Sequence, residues 1–136
     1  MTENNEDMFE IFNQSGEALK KDESYNMIAF YLNEGTRNIR LICDLNERKR
    51  YIEAQGTADI SEKYFDALKT IPEKCHIYEW PAYMSEIDGK TTGFTAWKLI
   101  FVTEKEEYRV YEGYTDTHSK LPEGFYKLLE ILSEKD

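Results

Sequence analysis

Cys75 and His76 are the one adjacent cysteine–histidine pair in this sequence, the residue types of a thiol nucleophile and its base. A nucleophilic thiol needs a base within hydrogen-bond reach and a positive setting that lowers its pKa. Consecutive side chains on a strand point to opposite faces, so a strand at this position turns His76 away from Cys75. Lys74 is the nearby cation, and Glu73 and Glu79 flank it. The pair therefore reads as structural. A metal site fares no better, because Cys43, Cys75, His76 and His118 lack the paired short spacings of zinc ligands. The glycines are isolated from one another, so no phosphate-cradling loop is present. Asp116-Thr-His118 follows a predicted strand, where loops often carry function, but it is a single acid–histidine pair with no identifiable nucleophile and reads as turn chemistry. Carboxylates are too abundant for any one pair to stand out. These readings predict no catalytic residue, no cofactor and no metal.

The elements around these residues fit one domain. A chain of 136 residues is long enough to bury a core, and 40% hydrophobic with 14% aromatic content sets it apart from disordered sequences. The net charge of −10 argues against direct nucleic-acid binding and against an anionic membrane surface. Within residues 1–23, seven acids face only Lys20 and Lys21, so this acidic N-terminal segment is set apart from a domain spanning 24–136. Residues 1–7 are polar and acidic, unlike a signal peptide, and the charge-free apolar run 27–32 is too short to span a bilayer. A cytoplasmic location is expected, with both cysteines reduced unless the fold brings them together.

The fold class expected is α+β: a largely antiparallel sheet of five or six strands with two helices on one face and a short N-terminal helix. The N-terminal helix is placed within residues 8–19. Residues 25–32, 38–45 and 51–56 read as strands, and Asp59 and Glu62 form a capping box for a helix that Pro72 stops. Residues 76–80 read as a short strand, 81–93 as a long loop and 95–102 as a central strand. A strand over 108–114 and a helix opened by Pro122 follow. Both halves, 24–72 and 73–136, thus read strand–strand–strand–helix. Arg40-Leu-Ile42 falls on Lys98-Leu-Ile100 and Tyr51 on Tyr108, which suggests a duplicated unit. The same physics patterning two similar units is the alternative.

Two surfaces qualify as partner sites. Strand 25–32 carries Tyr25, Met27, Ala29 and Tyr31 on one side and Ile28, Phe30 and Leu32 on the other, so both faces of the sheet need cover. The face away from the helices is either shielded by the N-terminal segment or open as a tyrosine-rich patch, and an open patch would mark a docking site. The turns also differ in charge: Arg37, Arg40, Arg48, Lys49 and Arg50 mark the first half, and Glu104, Glu106 and Glu107 the second. That contrast suits a charged partner or head-to-tail self-association, unless these are ordinary solvated turns. The candidate docking residues are Tyr25, Met27, Tyr31, Glu104, Glu106, Glu107 and Tyr111.

The stretch Trp97-Lys-Leu-Ile-Phe-Val102, Tyr111-Glu-Gly-Tyr114 and Pro122, Phe125, Leu128 and Leu129 resembles a pattern widespread in small bacterial proteins. The resemblance implies a meander closed by a helix and brings no activity with it. In its acidity, aromatic content and lack of a catalytic constellation, the chain is similar to bacterial immunity proteins and other small inhibitors. It departs from the pattern in a longer loop over 115–121. The leading expectation is a non-catalytic module that binds a protein partner of basic character. The alternatives are an acidic nucleic-acid mimic acting on a nuclease or CRISPR effector, and a small-ligand-binding protein or enzyme.

Overall fold

The two longest strands of the chain pair with each other at the centre of the molecule. The computed structural model describes residues 8–35, 37–87, 89, 93–116 and 121–134. His118 lies outside these residues. A 3₁₀ helix (Phe9–Asn13) precedes β1 (Tyr25–Asn33), β2 (Asn38–Asp44), β3 (Lys49–Ile52) and β4 (Gly56–Asp59). Helices α1 (Glu62–Lys69) and α2 (Ile71–Lys74) follow, then a 3₁₀ turn (Ile77–Glu79). The chain continues with β5 (Tyr83–Glu86), β6 (Thr95–Thr103), β7 (Tyr108–Thr115) and α3 (Phe125–Leu132). The strands form one seven-stranded sheet in the order β4-β3-β2-β1-β6-β7-β5. Every neighbouring pair is antiparallel except β5 and β7.

Alternation along β1 and β6 divides the apolar residues between two faces. Ile28, Phe30 and Leu32 stand opposite Phe101, Leu99 and Trp97, and pack with Tyr64, Leu68, Ile71, Phe125 and Leu128 from the helices. Ala29, Ile42, Ile100 and Val110 form a smaller cluster on the other face, beneath Met8, Phe9, Ile11 and Phe12 of the N-terminal segment. The second face is therefore shielded by the N-terminal segment, but only over part of its width.

The structure is α+β, and it corrects the expected elements in several places. The sheet has seven strands, because residues 56–59 extend the hairpin and 83–86 form a strand inside the predicted loop. Pairing of Asp59 with Lys49 takes the predicted cap into β4 as its last residue, so Ser61 caps α1 instead, its Oγ accepting the Tyr64 N–H at 3.1 Å. Pro72 does not stop α1. It occupies the first turn of α2, where a missing N–H costs nothing. Residues 76–80 are not a strand: the buried side chains Ile77 and Trp80 are three apart, the period of a 3₁₀ turn. Trp80 is drawn into the helix-side core, donating from Nε1 to the Glu123 carbonyl at 2.8 Å. The N-terminal helix shrinks to one 3₁₀ stretch that ends at an extended Gln14, and Gly16 beyond it lies against the backbone of Tyr108, too close for a Cβ.

From Glu17 the chain runs parallel to β7, with the Val110 N–H donating to the Glu17 carbonyl at 3.0 Å. The outer edge of β7 is thus covered first by this segment and then by β5. The likeness of the two halves in element order does not extend to strand order. In the first half consecutive strands lie side by side, whereas β5 bypasses β6 and joins β7 in parallel. Both cysteines are free and buried in the helix-side core.

Candidate functional site

Successive cross-strand rows explain how the second face divides into covered and open parts. The row Ile42–Ala29–Ile100–Val110 is apolar and lies under the N-terminal 3₁₀ helix. Two residues along each strand, the register aligns Arg40, Tyr31, Lys98, Glu112 and Tyr83 across five strands. This row is charged and aromatic. Lys98 marks its border with the apolar row, its Nζ donating to the Phe12 carbonyl at 2.8 Å where the 3₁₀ helix ends. A cation there is favoured, because the last carbonyls of a helical turn lack partners.

Beyond that border lies an open groove of about 410 Å³, with Lys98, Glu112 and Ala96 in its floor. Phe12 and Tyr31, ring centroids 6.1 Å apart, form one wall, and Tyr83 and Tyr114 form the other. Phe94 extends the second wall by stacking on Tyr114 at 5.5 Å. Arg40 holds its guanidinium 5.9 Å from the Tyr31 ring centre and pairs with Glu53 at 3.3 Å. Tyr83 is 64% exposed, Tyr114 38% and Phe94 36%, and Ile87, which follows β5 directly, is 63% exposed. Among the described residues only Tyr126, on α3, is another large hydrophobic side chain left so open.

The candidate docking residues separate in space. Tyr31 lines the groove and Met27 packs beneath the N-terminal segment. Tyr25 lies on the opposite face and is buried, because a register shift between Tyr25 and Met27 rotates it toward the helices. There its hydroxyl donates to the Leu68 carbonyl at 2.7 Å. Tyr111 is buried on the same face and accepts the Leu19 N–H at 2.8 Å, pinning the N-terminal segment. Neither ring is presented to a partner.

Glu104, Glu106 and Glu107 sit in the turn between β6 and β7. That turn is roughly 23 Å from the groove, at the ~3.3 Å rise per residue of a strand. Glu104 and Glu107, but not Glu106, border a crevice of about 400 Å³ that Arg109 also lines. Arg109 is engaged by both carboxylate oxygens of Glu23, at 2.8 and 2.6 Å, and by Glu107 at 3.2 Å. The guanidinium holds the Glu23 carboxyl at about 2, despite an opposing contribution from burial. Lys20, Lys105 and Arg109 stand among the acids of this crevice, so no unbroken acidic row forms there.

The expected basic counterpart is neutralised locally at every position but Arg50. Arg37 pairs with Glu34 at 2.7 Å, Arg48 with Glu62 at 3.1 Å and Lys49 with Asp59, while Arg50 lies over the Tyr64 ring.

The cysteine–histidine pair is not assembled for nucleophilic work. Burial pushes the Cys75 thiol up to about 11, and it does the same for Cys43 beside Tyr64. His76, held in the left-handed region at φ 57°, turns its ring toward Glu79 at 3.3 Å and Glu123 at 3.6 Å. Asp116 accepts the Gly89 N–H at 2.6 Å. Among the described residues no three His, Cys, Asp or Glu side chains gather as metal ligands. No described helix is long and apolar enough to cross a membrane.

Phe12, Tyr83, Phe94 and Tyr114 escape a reading of the sequence. Tyr83 falls in a stretch that looks like a loop, and the placement of Phe12 depends on where the N-terminal segment lands. The period-two pattern Tyr108, Val110, Glu112, Tyr114 does carry a signal, since it runs from covered to open along one face of β7. Comparison with family models, with curated proteins and with solved structures finds no match to this chain.

Proposed function

We propose that this protein is a non-catalytic protein-binding module whose docking surface is the aromatic groove beside β5. The observation that carries the reading is the gathering of Tyr83, Phe94 and Tyr114, three of the exposed large apolar side chains, at one end of one sheet face, with Ile87 exposed just after β5. Monomeric proteins rarely leave such groups clustered in water without a use for them. Tyrosines suit the task because a large ring is ordered at small entropic cost and its hydroxyl still finds a polar partner. The rings here are partly fixed already, by the Phe94–Tyr114 stack and by the Phe12–Tyr31 contact.

A net charge of −10 favours a basic partner, whose approach it accelerates at low salt. A small acidic protein that occupies a basic partner through an aromatic surface works naturally as an inhibitor or immunity protein in the cytoplasm. The test is paired affinity capture from the source lysate, with wild type and a Tyr83→Ser/Tyr114→Ser variant of unchanged melting temperature. A partner retained by wild type and lost by the variant supports the reading. Identical captures on both proteins contradict it.

A further inference from the structure

The groove ends at a sheet edge that is unusually open. Among the described residues the two outer strands of the sheet are β4 and β5. β4 is Gly-Thr-Ala-Asp and offers an incoming chain no large apolar side chain. β5 is Tyr-Met-Ser-Glu with Ile87 after it, and within its four residues it carries neither lysine nor proline, the usual guards of an edge.

The ladder fixes which backbone groups are free. The Glu112 N–H donates to the Ala82 carbonyl at 3.0 Å, and Tyr83 stands opposite Glu112 in the parallel register. Alternation along a strand then turns the N–H and C=O of Tyr83 and Ser85 away from β7. Those four groups are what an added strand would pair with, and its side chains on the second face would lie against Tyr83 at the mouth of the groove.

Charge selects the occupant. Within the groove Arg40 is offset by Glu53 and Lys98 stands opposite Glu112, so the surplus of −10 on the whole chain sets the preference. A second copy carries the same surplus and would be repelled. An extended basic segment would be attracted. We infer that β5 receives an extended, basic segment of the protein partner as an eighth strand, with backbone hydrogen bonds supplying affinity and the groove selecting side chains. This inference rests on the groove being a protein-docking surface.

The test uses fluorescence anisotropy with labelled peptides of about ten residues: alternating Lys and Val, the same with Glu for Lys, and the Lys peptide N-methylated at every residue, so that neither of its edges can pair. The proteins are the full chain, Ser85→Pro and Tyr83→Ser/Tyr114→Ser. Proline at position 85 removes an outward donor while leaving the ladder to β7 intact. The Lys peptide is expected to bind wild type. The Glu peptide, the N-methylated peptide and the Ser85→Pro protein should each weaken binding about tenfold or more. N-methylation interrupts the edge without altering the protein, so the test survives if Ser85→Pro fails to fold.

Absence of binding by the Lys peptide overturns the inference. So does equal binding by the N-methylated peptide, or a wild-type dimer that Ser85→Pro dissolves in sedimentation. If the tyrosine variant loses binding while N-methylation has no effect, the groove stands as a docking surface and the edge does not. If neither change matters, both readings fall.

Discussion

Arg109 is the only charged residue among the buried described positions, and its carboxylate neighbours govern the response to acid. Its side chain is 7% exposed and that of Glu23 17%, so the pair is shielded from solvent far better than the other ion pairs. Glu23 has a folded-state pKa of about 2 against an ordinary 4.5. A depressed carboxylate stabilises the fold fully above its unfolded pKa, and that stability is lost as pH falls from about 4.5 through about 2. Glu23→Gln is expected to cost about 2–3 kcal/mol at pH 7, and the difference from wild type should narrow steadily below pH 4.5. Urea unfolding of both proteins at pH 7, 4 and 3 checks this; a constant difference across that range would contradict the assignment. Nothing in the sequence pairs residues 23 and 109, because the contact forms only when the extended segment after Gly16 docks along β7. Tyr25 shows the same limit. Strict alternation groups it with Met27 and Tyr31, and one register shift sends it to the other face.

At the scale of elements, local patterns identified most of the sheet and misplaced its joints. The runs around Phe30, Leu41, Leu99 and Val110 were legible because period-two burial on a two-sided sheet leaves apolar residues on both faces. The joints depended on competition between local signals. Asp59 and Ser61 are both competent caps, and hairpin pairing decided between them. Ile77 and Trp80 answered to a three-residue period that a short window reads as a strand.

The turns carry strain that the sequence does not advertise: Arg48, Ala54 and Glu106 all have positive φ. Ala54, at φ 69°, gains nothing from its side chain in that conformation, so Ala54→Gly should raise stability by about 0.5–1 kcal/mol in thermal or urea unfolding. The N-terminal segment is the other element with a testable role. A chain beginning at Gln14 should keep its helix-side core but lose about 2–4 kcal/mol through the contacts of Met8, Phe9, Ile11 and Phe12. It should also bind a hydrophobic dye on the bared Ala29–Ile42–Ile100–Val110 cluster; unchanged stability and no dye binding would show that the segment covers nothing.

Taken whole, the molecule places its two distinctive surfaces at opposite ends of β6 and β7. One end is a set of acids clamped around Arg109, and the other an aromatic groove next to an open edge. The acidity and tyrosine content were visible in composition, yet neither told which tyrosines would be open. That depended on long-range choices: β5 joining β7 in parallel, and the 3₁₀ helix stopping at Asn13 with Lys98 on its last carbonyls.

The most direct measurement of the central claim is site-specific photo-cross-linking in the source cells, with the reactive residue placed at Tyr83 or, separately, at Tyr126. Both positions are about equally exposed, at 64% and 61%, but Tyr126 lies on α3, away from the groove. The structure predicts one discrete protein adduct from position 83 and none from position 126. Equal adducts from both, or an adduct from Tyr126 alone, would contradict the assignment of the groove as the binding surface.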